Sequence, residues 1–337
     1  TAAEQILSGG VLYRDVADQR SPLVPYLKVG ILAVCGDWNT TAVHVVLAVL
    51  LGLGAIALWQ IARRLGHDRV GLVAAVVFTV LSFMLPGEED TLAAHTEWFL
   101  MLFSVAGFLA FVAAIERPGF VRGFGVGVLF GLAILCKQPG LFDWAVSLVL
   151  IGLLLFARPV VQRGALLRLA AGSVAGLAIL AALTFGYFAH RGALHDLVYY
   201  AWTYNNQVYV PAIPLAARLL TMREPFLLAA QHAPAVLVLG LCGALVLPVL
   251  AIRGLFRRPV EIALLPWLAL GWTAAGILAC SLSGRAFSHY SIQVIPGLSL
   301  VCGWVLVAGW DWCVGRKRAW RLAAMALLAL AVADTGG

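Results

Sequence analysis

The amino-acid sequence predicts an all-α polytopic membrane protein, and three observations support this fold class. Of the 337 residues, 62% are hydrophobic and only 12% are charged, whereas soluble domains carry roughly 25% charged residues. The charges gather in short clusters between apolar runs of about 18 to 25 residues, which are long enough to cross a bilayer. Lysine and arginine concentrate in alternate clusters. The length would hold two soluble domains, but the apolar runs exclude them.

The apolar runs predict a single transmembrane domain over residues 1–337, a helix bundle with about eleven spans. A short amphipathic helix at residues 2–8 precedes the first span and ends at Gly9 and Gly10. The predicted spans cover residues 22–34, 41–62, 70–86, 92–115, 121–136, 139–157, 165–189, 227–252, 260–281, 291–314 and 319–333. The opening residues read as the middle of a longer sequence, so we expect a fragment that lacks the first helix.

The distribution of charge predicts the orientation of the bundle. One set of loops holds 15 of the 23 basic residues, and the opposite set holds 11 of the 16 acidic residues. By the positive-inside rule the basic loops are cytoplasmic. This topology accounts for the net charge of +7, so membrane lipids are expected partners and nucleic acid is not. The cytoplasmic loops lack a glycine-rich phosphate cradle, which argues against a nucleotide site there.

The most polar stretch near the start, Gly9 to Pro22, falls on the extracytoplasmic side. It holds two carboxylates, two guanidinium groups and a tyrosine. A polar cluster on an apolar scaffold is where chemistry is expected, so residues 1–21 are predicted to form an extracytoplasmic active-site loop. Asp15 and Asp18 are its candidate catalytic residues, and Arg20 is a candidate substrate-binding residue.

A second extracytoplasmic loop, residues 191–225, is rich in aromatic and amide side chains. Its central stretch, Tyr199 to Tyr209, combines five aromatic residues with two asparagines and a glutamine. Aromatic faces with amide partners suit carbohydrate rings, whereas an interfacial aromatic belt is the structural alternative. Both interpretations stand on the sequence alone. Trp202 and Asn205 are the candidate substrate-binding residues of this loop.

Glu97 is the first charged residue at the outer end of a long apolar span. Charges at membrane depth are costly and mark functional positions by default. An acidic residue in the first turn of a helix also favours the helix dipole, which is the structural alternative. We predict that Glu97 is a third catalytic carboxylate.

Two cations interrupt apolar sequence on the side predicted to be acidic. Lys137 and Gln138 lie in a short break between two spans, and Arg285 precedes His289 and Tyr290 just before another span. Snorkelling is the alternative for the lysine. Because these cations depart from the topological trend, all five residues are candidate substrate-binding residues.

Together Arg20, Lys137 and Arg285 predict a basic pocket at the outer leaflet. A phosphate held where lipid meets water needs such donors, with arginine as a planar fork and lysine as a point charge. In such a site a carboxylate accepts the proton of an acceptor hydroxyl as that oxygen attacks the anomeric carbon of a sugar. The cations stabilise the phosphate that departs on the lipid.

The six cysteines lie in or beside apolar runs, and none forms a CxxC pair. Neither a zinc site nor a disulfide framework is therefore indicated. We expect no metal and no cofactor.

Several short motifs resemble those of a known family. The pattern Gly-Gly-x-Leu-Tyr-Arg-Asp at residues 9–15, followed by Arg20-x-Pro-Leu, resembles the first outer loop of integral-membrane GT-C glycosyltransferases. The nearest group is the bacterial protein-mannosyltransferase-like and aminoarabinose-transferase-like family, glycosyltransferase family 39. Three later segments are similar to that family's further signatures and occur in the same order: Thr96-Glu97, Lys137-Gln-Pro-Gly140, and Arg285-x-Phe-x-His-Tyr290 with Pro296.

The resemblance implies a GT-C helix bundle and a glycosyltransferase of the bacterial plasma membrane with an extracytoplasmic active site. It implies inverting transfer of a hexose or pentose from a polyprenyl-phosphate-linked donor to a glycan, lipid or protein acceptor, without a catalytic metal. The main aspartate of the family falls before the Gly-Gly pair, at positions that would precede residue 1. The carboxylates assigned here are therefore Asp15, Asp18 and Glu97.

Two other functions compete with this hypothesis. A secondary transporter or lipid flippase would show inverted repeats and charged pairs midway through its spans. An inactive accessory subunit would retain the scaffold without the catalytic carboxylates.

Overall fold

The computed structural model describes residues 2–36, 38–86, 93–157, 160–210, 213–255 and 260–314, and in these ranges every helix or strand element is helical. The α-helices there are α1 Ala2–Leu7, α2 Leu23–Cys35, α3 Thr40–Arg64, α4 Asp68–Met84, α5 Thr96–Glu116, α6 Phe120–Cys136, α7 Gly140–Ala157, α8 Val160–His190, α9 Leu194–Val198, α10 Leu215–Leu220, α11 Glu224–His232, α12 Pro234–Leu255, α13 Val260–Ser281 and α14 Ile295–Val314. A π-helix spans Tyr199–Tyr209, and two 3₁₀ helices span Thr221–Arg223 and Ser288–Val294.

Apolar helices of membrane-spanning length confirm the predicted all-α polytopic bundle. Seven helices within the described ranges are long and apolar enough to cross a membrane, and α2 and α6 are shorter apolar helices. The count of about eleven spans is not confirmed, and the predicted span at 319–333 lies outside the described residues. The span predicted at 227–252 is divided into α11 and α12, because Pro234 lacks an N–H and disfavours helical backbone at the preceding residue.

Glycines join α6 and α8 along a parallel seam. Gly123 and Gly127 of α6 face Gly172 and Gly176 of α8, and four-residue spacing keeps each pair on one helix face. A methyl group built at Gly127 would lie 1.9 Å from the carbonyl oxygen of Ser173, and at the other three glycines the nearest backbone oxygen would be 2.0 to 2.2 Å away. Small residues let helix backbones approach this closely in membranes, where dispersion contacts replace the hydrophobic effect. We call these four glycines the glycine seam.

Ion pairs within the described ranges lie at helix ends or in loops and not midway along the spans. Arg64 bonds Glu116 at 2.8 Å and Arg69 bonds Asp311 at 2.7 Å, and both join ends predicted to face the cytoplasm. The polar contact between α5 and α7 lies within the spans, but it is not an ion pair. The Ser104 hydroxyl donates a hydrogen bond to one carboxylate oxygen of Asp143 at 2.6 Å. The arrangement lacks the feature expected of the transporter alternative.

The opposite end of the bundle gathers the segments that carry the candidate site. Helix α5 begins there at Thr96, and α6 ends there at Cys136. The 3₁₀ helix at residues 288–294 packs against α5 and α13 before it leads into α14. Because α5 is the most buried of the apolar spans, its first turn lies beneath the other segments.

Candidate functional site

Glu97 and Lys137 form an ion pair at the centre of this end of the bundle. The ammonium group of Lys137 donates a hydrogen bond to Oε1 of Glu97. The Glu97 side chain is 4% exposed and that of Lys137 is 22% exposed. A carboxylate this buried requires a compensating charge, and the chain supplies one by ending α6 immediately before the lysine. The structure thus joins two residues that the sequence singled out separately.

Two histidines and a tyrosine surround this pair. Nε2 of His289 lies 4.0 Å from Oε1 of Glu97, and the His289 ring stacks on His95 with centroids 4.2 Å apart and planes 9° apart. Nζ of Lys137 lies 3.8 Å from the centroid of Tyr290, a cation–π contact. The sequence prediction missed His95, although its position directly before Thr96 and Glu97 was a usable signal.

Tyr209, the last residue of the π-helix, connects this group to Arg285. The guanidinium carbon of Arg285 lies 4.4 Å from the centroid of the Tyr209 ring. The Tyr209 hydroxyl is hydrogen-bonded to that of Tyr290, which also bonds Ser283. Burial and then the bond to Tyr290 raise the pKa of Tyr209 to about 12, so the phenol keeps its proton at neutral pH. We define the charged cluster as His95, Glu97, Lys137, Tyr209, Arg285, His289 and Tyr290.

The π-helix also ties the polar loop at residues 2–21 to the turn that carries Lys137. The Gln138 side chain donates to the carbonyl oxygen of Ala201 at 2.9 Å, and the Asn205 side chain donates to that of Gln19 at 2.8 Å. These amides therefore brace backbone, and their role in binding substrate stays a prediction. Trp202 is 65% exposed and can meet a ligand, so its role also stays a prediction.

The carboxylates of the polar loop are held by neighbours in the loop. Asp15 accepts from the guanidinium of Arg14 at 2.9 and 3.1 Å and from the backbone N–H of Val11 at 2.8 Å. The Arg14 bonds, followed by the Val11 bond, lower the pKa of Asp15 below its ordinary value. Asp18 accepts from the backbone N–H of Arg20 at 2.9 Å. Its other carboxylate oxygen has no hydrogen bond or ion pair to the described residues.

The predicted basic pocket is assembled only in part. Lys137 and Arg285 are joined through the hydrogen-bonded tyrosines of the charged cluster. In the described ranges, the side chain of Arg20 has no hydrogen bond, ion pair or ring contact with a member of the charged cluster. Arg20 lies in a loop that local hydrogen bonds hold in place. One of them is the 2.6 Å bond from the hydroxyl of Tyr13 to the carbonyl oxygen of Arg20.

One group of side chains has the composition of a metal site. His95, Glu97 and His289 each offer a ligand atom, and these atoms lie within 4.8 Å of one another. Histidine nitrogens with a carboxylate suit zinc and similar divalent ions. Any such ion would compete with Lys137 for Glu97. The expected absence of a metal stays a prediction.

Comparison with protein families decides the identity of the chain. Residues 19–188 match the model of the dolichyl-phosphate-mannose-protein mannosyltransferase family, which is half of the chain. The chain belongs to this family. No curated protein sequence matches the chain.

Solved GT-C structures share the fold of this family member. They include the Archaeoglobus fulgidus oligosaccharyltransferase AglB with an inhibitory peptide and a dolichol-phosphate (TM-score 0.60, 15% identity, 93% of this chain and 46% of that one). The same enzyme with Zn and sulfate gives a TM-score of 0.64 at 17% identity, covering 99% and 47%. ArnT from Cupriavidus metallidurans bound to undecaprenyl phosphate gives 0.58 at 21% identity, covering 98% and 57%. The predicted GT-C fold is thus confirmed, and the chain spans about half the length of these proteins.

Proposed function

We propose that this family member transfers a sugar from a polyprenyl-phosphate-linked donor to an acceptor, and that the charged cluster holds the donor phosphate. The observation that carries the proposal is the convergence of Lys137 and Arg285 on two hydrogen-bonded tyrosines at one end of the bundle. Relatives of the same fold that are bound to dolichol-phosphate and undecaprenyl phosphate support it.

The cations have the chemistry that the leaving group needs. When the bond between the anomeric carbon and the phosphate oxygen breaks, negative charge develops on the phosphate, and donors fixed in advance stabilise it. Arg285 offers a planar fork for two oxygens, and Lys137 offers a compact charge. Their aromatic supports, Tyr209 and Tyr290, orient both cations without neutralising them.

The three candidate carboxylates differ in their fitness as a base. Glu97 is committed to Lys137, so its role is to position that ammonium group. Asp15 is committed to Arg14 and accepts a proton poorly. Asp18 accepts only a backbone N–H within the described ranges, and it lies next to Gln19, which is bonded to the π-helix. Asp18 is therefore the best placed of the three to accept the proton of an acceptor hydroxyl.

The remaining features of the proposal follow from this chemistry and from charge placement. Direct displacement at the anomeric carbon inverts its configuration, for a hexose or a pentose alike. The polar loop and the charged cluster lie on the side that the basic loops predict to be extracytoplasmic. The proposed location is a bacterial plasma membrane, with a glycan, lipid or protein acceptor outside the cytoplasm.

The experiment that tests the proposal measures binding of undecaprenyl phosphate to the protein in lipid nanodiscs. A variant with both Lys137→Ala and Arg285→Ala should lose at least roughly tenfold in affinity, the equivalent of about 1.4 kcal/mol. Arg163→Ala is the matched control, since this exposed arginine lies near the start of α8 at the opposite end of the bundle. Unchanged binding by the double variant would show that the phosphate site is elsewhere.

A further inference from the structure

A second arginine lies against the segment that carries Arg285. The side chain of Arg218, from α10, packs on Gly284, where an added Cβ would lie 2.4 Å from Cγ of the arginine. Gly284 has a φ of 68°, a conformation that side chains other than glycine rarely adopt. The absence of a side chain at this residue therefore lets the stem of Arg218 reach the residue next to Arg285.

The corner that carries Arg218 is fastened to the end of α13. The hydroxyl of Thr221 contacts the carbonyl oxygen of Arg218 at 2.6 Å and that of Cys280 at 3.0 Å. Thr221 is 7% exposed and Cys280 is 2% exposed. This buried contact fixes the position of the Arg218 backbone relative to the loop that follows α13.

The innermost nitrogen of each of these two guanidinium groups lacks an acceptor in the part of the chain that the structure describes. Nε of Arg218 and Nε of Arg285 are both buried there without a hydrogen-bond partner. Within the described ranges, neither side chain has a carboxylate oxygen within ion-pair distance. Buried donors in native proteins are nearly always bonded, and two cations carried by segments in contact repel one another when no anion lies between them. An anion relieves both conditions.

We propose that Arg218 and Arg285 together bind the phosphate monoester that leaves in the reaction; this rests on the function proposed above. In the donor, the phosphate is a diester with one negative charge. During transfer the acceptor oxygen bonds to the anomeric carbon, its proton passes to a carboxylate, and the electrons of the broken C–O bond stay on the phosphate. The product is polyprenyl phosphate, a monoester with nearly two negative charges.

The count of charges matches this role. Glu97 and Lys137 together carry no net charge, so the phosphate site formed by Lys137 and Arg285 has one net positive charge, which matches the single charge of the diester. Arg218 supplies the second charge that appears as the monoester forms. Binding that is stronger for the departing group than for the donor is the kind that accelerates a reaction.

The test compares two ligands in nanodiscs: undecaprenyl phosphate, a monoester, and its methyl ester, a phosphodiester. Arg218→Gln keeps the stem on Gly284 and removes the charge. We expect it to weaken monoester binding roughly tenfold and diester binding by less than about threefold. Arg223→Ala, in the adjacent 3₁₀ helix, is the control, since its exposed side chain pairs with Glu224.

Equal losses for both ligands, or no loss for either, would overturn the assignment of Arg218. An unchanged unfolding temperature for Arg218→Gln verifies that the variant is folded, and Arg218→Lys should restore part of the preference for the monoester. If the double variant of Lys137 and Arg285 binds both ligands normally, the proposed function itself fails. If it loses both ligands while Arg218→Gln loses neither, only the role of Arg218 fails.

Discussion

Two pairs of opposite charges in this protein differ mainly in their surroundings. The side chains of Arg14 and Asp15, in the polar loop, are 46% and 43% exposed. Those of Lys137 and Glu97, in the charged cluster, are 22% and 4% exposed. Exposed pairs contribute little because water and salt screen them. Breaking a buried pair is costly because it leaves an uncompensated charge in an apolar environment.

The contrast teaches that a high density of charge in the sequence does not by itself locate the chemistry. The polar loop has more charged residues, yet the carboxylate of Asp15 is already bonded to Arg14 and to the backbone N–H of Val11 beside it. The charged cluster has fewer charged residues, but its members come from four separate segments and contact one another. We therefore expect substitutions in the two regions to have very different effects.

The largest difference should come from removing the buried carboxylate. Glu97→Gln leaves the Lys137 ammonium without its counter-ion, and we expect it to cost about 3 to 5 kcal/mol of stability. Thermal unfolding in detergent checks this. The matched control is Glu116→Gln, which breaks the exposed pair with Arg64 at the other end of α5 and should have little effect. Similar losses in the two variants would refute the contrast.

Removing the ring beside Lys137 should have an intermediate effect. Tyr290→Leu abolishes the cation–π contact, worth about 0.5 to 2 kcal/mol depending on desolvation. Undecaprenyl phosphate should bind more weakly as well, because the ammonium group is no longer held in place. Tyr199→Leu is the comparison, since this exposed tyrosine lies outside the charged cluster and its ring packs on that of Tyr200. A loss of affinity in both variants would argue for a general aromatic contribution.

The hydrogen bond between the two tyrosine hydroxyls should contribute less. Tyr209→Phe removes it while the ring under Arg285 remains. We expect a loss of about 1 kcal/mol in the free energy of unfolding. Tyr204→Phe, in the same π-helix, serves as the control. If both phenylalanine variants unfold alike, the bond contributes nothing measurable.

The smallest effect should come from the exposed pair, and it should depend on pH. The Arg14 guanidinium lowers the pKa of Asp15, so the folded loop favours the ionised carboxylate. Its contribution is complete above the ordinary pKa, about 3.9, and is lost as the pH falls through the lower folded value. The protection factor of the Val11 amide against hydrogen exchange, which corrects for the intrinsic rate at each pH, should therefore fall in acid but stay constant from pH 5 to pH 7. A fall in the protection factor already at pH 6 would contradict this assignment.

The sequence predicted the fold class and much of the site, because a charge in an apolar run is conspicuous. Glu97, Lys137 and Arg285 were identified on that basis, and all three belong to the charged cluster. Arg218 was not, since it lies within the outer loop predicted at residues 191–225 and outside every predicted span. Its presence on the side predicted to be acidic was the signal that could have identified it.

The sequence did not predict which distant segments contact one another. Residues 97 and 137 meet only because α5 and α6 pack side by side. The segment from Tyr199 to Tyr209 was predicted to lie in the extracytoplasmic loop at residues 191–225. It forms a π-helix in which Asn205 bonds Gln19 and Ala201 accepts from Gln138, and tertiary contacts of this kind override local preference.

The glycine seam has a consequence for how this protein can vary. Helix α6 leads directly to Lys137, and α8 leads through α9 to the π-helix that carries Tyr209. The distance between Lys137 and Tyr209 therefore depends on the glycine seam. Gly127 of this seam lies roughly 15 Å from Lys137 along the helix, at 1.5 Å per residue. A bulkier residue at Gly127 would touch no substrate, yet it would move Lys137 and Tyr209 apart. Inherited loss of activity can thus arise where an inventory of ligand contacts would find nothing altered.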